Sequence, residues 1–122
     1  MEWDWEFVAE IMPTLLQGLQ ITLIVTLLSA IVAAALGLVF AIARRSRNKF
    51  VARPVSYLVE FIRGTPLLVQ LYFIFYVLPD AGILLPPLVA GVIGMGLHYA
   101  TYTAEVYRAG IENVARGQWE AA

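Results

Sequence analysis

The chain has 122 residues, of which 61% are hydrophobic and only 14% charged, and it contains no cysteine. Soluble domains run about 45–50% apolar and about 25% charged, so this excess places much of the chain in lipid rather than water. The missing cysteines exclude disulfides and thiolate metal sites, and the net charge of −1 tells little until the charges are placed along the chain.

No Asp, Glu, Lys or Arg occurs from Ile11 to Ala43, from Gly64 to Pro79, or from Ala81 to Ala104. A spanning helix needs about 20 apolar residues at about 1.5 Å each. The first and third stretches meet that requirement, and the middle one meets it by borrowing from Val55–Arg63. The sequence therefore predicts an all-α, polytopic membrane protein with three transmembrane helices, at 18–43, 55–79 and 87–107. A secretory signal peptide is excluded for the first stretch, because its start is acidic and its apolar run is too long.

Residues 1–17 are expected to form an external amphipathic segment. Trp3, Trp5 and Phe7 alternate with acids there, as in an aromatic belt, and a short interfacial helix should end near Pro13. In the first span Ser29, Ala33, Gly37 and Ala41 recur every four residues and share one helix face. Such a small-residue stripe lets another helix approach closely. Residues 44–54 form a basic loop carrying Arg44, Arg45, Arg47, Lys49 and Arg53. With three crossings, all eight basic residues fall on one side, which the positive-inside rule makes cytoplasmic, with the N-terminus external. A membrane-flanking loop with some attraction to anionic lipid accounts for this run, and nucleic acid is not an expected partner.

The second crossing contains Arg63-Gly64-Thr65-Pro66. Gly64 and Pro66 oppose a continuous helix, and Thr65-Pro66 reads as a cap and first-turn pair opening a new one. Two readings of this break stay open. It can present a half-helix N-terminus to an anionic solute, or it can be a kink that admits the helix obliquely. An external turn at 80–86 leads to the third crossing, where His98, Thr101, Tyr102 and Glu105 stand at i, i+3, i+4 and i+7. A polar face at membrane depth turns toward protein or a wet cavity. It is either a pathway lining or an interhelical hydrogen-bond seam, and Glu105 also lies three residues from Arg108. No phosphate-binding loop, metal-ligand spacing or catalytic set is present, so neither an enzyme nor a bound cofactor or metal is expected.

Three segments carry a family resemblance. Residues 60–70 (EFIRGTPLLVQ), followed by LYFIFY, resemble the second-helix motif of polar amino-acid ABC importer permeases. Residues 104–114 (AEVYRAGIENV) resemble the end of their third helix. Gly117-Gln-Trp-Glu-Ala-Ala122 is similar to the opening of their cytoplasmic EAA coupling motif. Within that family, residues 97–104 (LHYATYTA) look most like the ectoine and hydroxyectoine branch.

The resemblance implies a permease subunit that moves a small polar solute inward by alternating access in a bacterial inner membrane. Its implied partners are ABC ATPase subunits that hydrolyse ATP, a second permease subunit (homo- or heterodimeric), an external solute-binding protein and the lipid bilayer. Residues 108–122 would then start the coupling segment, with Gly117 as hinge or cap and Glu120, Ala121 and Ala122 beginning the docking helix. Read by itself, Gly117 ends the preceding helix. Gln70, His98, Thr101, Tyr102 and Glu105 would line the solute pathway. The family continues beyond the position of Ala122, so the chain is expected to be an N-terminal fragment that alone neither transports nor couples fully to ATP. A membrane scaffold and a passive channel are the alternatives, and neither needs an ATPase.

Overall fold

The computed structural model describes residues 2–122, which contain α-helices and no strand. Helix α1 spans Trp5–Arg44, α2 Lys49–Gly64, α3 Leu67–Tyr72, α4 Pro87–Glu112 and α5 Arg116–Ala121. Helix α3 runs on into a π turn, Phe73–Val77, and a 3-10 turn, Leu78–Ala81. Gly82 closes that run at φ 87°, the left-handed conformation that a side chain would disfavour.

Helix α1 starts where Asp4 accepts hydrogen bonds from the N–H groups of Glu6 and Phe7, at 2.9 and 3.2 Å. It then continues through Pro13 for 40 residues, so the separate interfacial helix expected to end at Pro13 is not formed. A proline removes one ladder hydrogen bond, and well-capped helical residues on both sides carry the axis across that loss. At 1.5 Å per residue the helix is about 60 Å long, roughly twice the thickness of a bilayer core.

The stripe Ser29, Ala33, Gly37 and Ala41 is buried, together with Phe40. It packs on α4, and this is the largest interface in the molecule. The approach is close because side chains are missing where the helices meet. A Cβ on Gly37 would stand 2.9 Å from Thr103 Cβ and 3.0 Å from the Ala100 carbonyl oxygen. A Cβ on Gly96 would stand 2.5 Å from Val32 Cγ1. Across the same seam the Tyr107 hydroxyl donates to the Ala34 carbonyl at 3.0 Å. Phe40, Ala41, Ala100 and Ala104 continue into a core that Val59 of α2 completes.

The basic loop is shorter than the sequence predicts. Asn48 accepts from the Phe50 N–H at 3.0 Å and starts α2 at Lys49, so Lys49–Pro54 is helical rather than loop. The side-chain cap supplies one of the acceptors that a helix start needs, and Pro54 costs only a single bond.

By length and composition, α1 is long and apolar enough to cross a membrane. Helix α2 and the stretch Leu67–Ala81 pass only as a bent pair, with 100° between them. Helix α4 does not pass, so the structure shows one clear span where the sequence predicts three. Gly91, Gly94 and Gly96 lower its hydropathy, and His98 to Thr103 contribute five polar or semipolar side chains.

The glycine contacts predict a contrast. Gly37→Ala sets a Cβ against rigid backbone and a β-branched side chain, and should cost about 1–3 kcal/mol in unfolding of the full-length subunit. Gly94→Ala meets mainly Leu71 Cδ2, the mobile end of a side chain, and should be tolerated. Comparing denaturant unfolding of the two variants in detergent checks this.

Candidate functional site

Helix α2 ends at Gly64, and α3 begins three residues later. Pro66 has no N–H, so the Ile62 carbonyl loses the donor that a continuous helix would supply. The Thr65 carbonyl is likewise left over, because the new ladder starts with Gln70 N–H on Pro66. The Thr65 N–H takes up the Ile62 oxygen at 3.2 Å, and the Gln70 side chain reaches both carbonyls. Its amide nitrogen lies 2.9 Å from the Ile62 oxygen and 2.9 Å from the Thr65 oxygen. Buried backbone groups freed by a break require such internal partners.

Thr65 does not cap α3, as the sequence suggested it would. Its hydroxyl turns back to donate to the Phe61 carbonyl at 2.8 Å, and Pro66 stands at the N-cap without a side-chain bond. Gly64 has open space around its Cβ position and ordinary φ. Pro66 is therefore the residue that forces the break.

The same Gln70 nitrogen lies 3.0 Å from His98 Nδ1. The amide carries two hydrogens for these three acceptors, so the His98 contact competes with one of the carbonyls. His98 is buried, and its ring meets Tyr99 and Tyr102 at centroid distances of 5.2 and 5.3 Å. The break in α2–α3 is thus tied to the polar face of α4 through one amide.

One turn further along α4, Glu105 gathers three arginines. Its Oε1 accepts from Arg44 Nη1 at 2.7 Å and lies 3.5 Å from Arg63 Nη1. Its Oε2 accepts from Arg108 Nε at 2.9 Å. Arg44 also reaches Glu60 at 3.8 Å, and Arg108 reaches Glu112 at 2.9 Å. The Arg63 guanidinium carbon sits 5.4 Å from the Tyr102 ring centroid, within cation–π range. Its Nε is buried with no hydrogen-bond partner. The carboxylate therefore joins the ends of α1 and α2 to α4, and the six charges of the cluster balance. Beside it, a cleft of about 180 Å³ is lined by Ala41, Arg44, Ser56, Ala104 and Arg108.

Gln70, His98, Tyr102 and Glu105 accordingly share one continuous polar surface. Thr101 does not join it: the side chain is fully buried, and its hydroxyl donates to the His98 carbonyl at 2.6 Å. Sequence reasoning found Arg108 as a partner of Glu105 by spacing but missed Arg44, Arg63 and Glu60. They arrive from other helices, and no local pattern encodes that meeting. At the far end, α4 stops at Glu112 and α5 starts at Arg116 with Ala115 as its N-cap. Gly117 therefore lies inside α5, and it neither ends α4 nor caps the next helix, because the chain has already turned at Asn113–Ala115. Glu120 pairs with Arg116 at 3.2 Å. Glu120, Ala121 and Ala122 are exposed, and α5 packs against no other described element.

The family profile described as binding-protein-dependent transport system inner membrane component matches residues 33–122. A probable amino-acid ABC transporter permease of Sinorhizobium fredii is 48% identical, covering 95% of this chain and 50% of its own length. The L-cystine transport system permease TcyB of Bacillus subtilis is 41% identical over 96% of this chain and 50% of itself. The arginine transport system permease ArtQ of the same organism is 35% identical over 100% and 56%. The crystal structure of an amino acid ABC transporter with histidines matches at a TM-score of 0.90 and 38% identity, covering 100% of this chain and 57% of that one. The chain spans about half the length of the curated relatives it matches.

The polar surface predicts which substitutions matter for folding. Glu105→Gln leaves Arg63 with no acidic partner and takes one each from Arg44 and Arg108, and should lower stability by about 2 kcal/mol. Gln70→Leu strands the Thr65 carbonyl, while the Ile62 carbonyl keeps the Thr65 N–H, and should cost about 1–3 kcal/mol. Arg116→Gln, in a solvent-exposed pair, should change nothing measurable. Denaturant unfolding of the full-length subunit checks all three.

Proposed function

The chain belongs to the family of binding-protein-dependent transport system inner membrane components, and from that membership we propose that it forms the first half of the permease subunit of an ATP-driven importer for polar amino acids. The observation that carries this reading is the match of the entire chain to an amino acid ABC transporter. ATP is hydrolysed by separate ATPase subunits, and an external binding protein delivers the solute. A second permease subunit completes the pathway. The relatives named for cystine and arginine support an amino acid as the solute. The finer ectoine reading rests on residues 97–104 alone.

In this proposal α1, the α3 stretch and α4 each cross the inner membrane, with the N-terminus external and the basic residues inside. Helix α4 carries its polar face inward, where Gln70, His98, Tyr102 and Glu105 border the solute path. Thr101 supports that face from behind. Helix α5, free of the bundle, starts the segment on which the ATPase docks.

Two measurements test the reading in the full-length subunit. A single cysteine at Gln118, with a matching cysteine on a co-expressed ABC ATPase, should give a crosslink whose yield changes with ATP. An inserted, co-expressed subunit that gives none would favour a scaffold or channel. Pro66→Ala restores the missing donor and straightens the bend, and should abolish uptake while sparing insertion. Gly64→Ala alone should leave uptake intact.

A further inference from the structure

The ion pairs divide the basic residues into two groups. Arg44, Arg63, Arg108 and Arg116 each have an acidic partner. Arg45, Arg47, Lys49 and Arg53 are exposed and have none among the described residues. All four unpaired cations lie in the α1–α2 turn and the opening turns of α2.

Helix α2 has three distinct edges at about 100° per residue. Val55, Val59 and Ile62 face the bundle, where Val59 and Ile62 are buried. Phe50, Tyr57 and Phe61 point the other way and are 90%, 73% and 73% exposed. Lys49, Arg53 and Glu60 form the third edge, beside the aromatic one. The following stretch leaves α2 at 100°. If that stretch crosses the bilayer, α2 lies in the plane of the membrane surface and is no part of the crossing.

We infer that α2 is an in-plane helix of the cytoplasmic headgroup layer that binds anionic phospholipid. Phe50, Tyr57 and Phe61 enter the acyl boundary, while Arg45, Arg47, Lys49 and Arg53 take lipid phosphates. An aromatic edge next to a basic edge matches the two chemistries that meet at that depth. Charge complementarity selects the occupant: an apolar protein partner would cover the aromatic edge and leave four cations uncompensated, whereas anionic headgroups neutralise them. The inference rests on the membrane placement proposed above.

The test uses the full-length subunit in phosphatidylcholine–phosphatidylglycerol nanodiscs. Fluorophores are attached one at a time to cysteines at Tyr57, Phe61 and, as a mid-span reference, Leu23, which is exposed on α1. Lipids brominated near the headgroup should quench the labels at Tyr57 and Phe61. Lipids brominated deep in the chains should quench the label at Leu23. Quenching at Leu23 without quenching at Tyr57 and Phe61 would overturn the inference and leave the membrane placement standing. Loss of quenching at all three would overturn both. Separately, native mass spectrometry of the combined Arg45→Gln, Arg47→Gln, Lys49→Gln and Arg53→Gln variant should show less retained phosphatidylglycerol relative to phosphatidylcholine, by up to about fivefold per charge removed. Unchanged retention would refute the phosphate contacts.

Discussion

Pro66 deprives the backbone of one donor where α2 gives way to α3, and much of the inner surface is organised around that loss. A buried carbonyl without a partner is costly, so a broken helix survives where other donors take over the lost bonds. The Thr65 N–H and the Gln70 amide share that task here. Because the Gln70 amide also meets His98, the bend is held at one orientation to α4. The bend in turn delivers Arg63 to Tyr102 and Glu105. The charged cluster at the ends of three helices thus follows from the geometry that a single imino acid imposes.

A second constraint acts between helices. Lipid tails give two apolar helices no hydrophobic reason to associate, so contact must come from packing at short range. Gly37 and Gly96 supply it from opposite sides of the α1–α4 seam. The seam is tight, and the N-terminal part of α1 up to Leu28 contains no buried residue. Its exposed leucines and isoleucines, such as Leu19, Ile21, Leu23 and Leu27, are what a lipid-facing rod presents.

The sequence displays features that act over one or two turns and hides those that act across helices. The small-residue stripe is visible because its period of four is local, and the buried set Ser29, Ala33, Gly37 and Ala41 follows it residue for residue. The bend at Gly64–Pro66 is legible because proline acts on its own ladder. The same rule misleads at Pro13, where the helix passes through: a proline signals a lost bond, and only the surroundings decide whether the axis turns. At position 66 the bend has Gln70 to stabilise it. The meeting of Arg44, Arg63 and Glu105 was illegible because it joins residues up to 61 positions apart. The inward turn of Thr101 was hidden for a related reason. A shared helix face says which residues point the same way, and not which of them find a neighbour.

The buried stripe of α1 runs from Ser29 to Ala41, and Arg44 beyond it binds Glu105. The 24 residues from Trp5 to Leu28 contain no buried residue and extend about 36 Å, so a tilt of about 5° at the seam displaces the tip by about 3 Å. Such an arm works as a pointer. A change of angle at the seam acts on a lever whose long end carries Trp3 and Trp5, which meet edge to face.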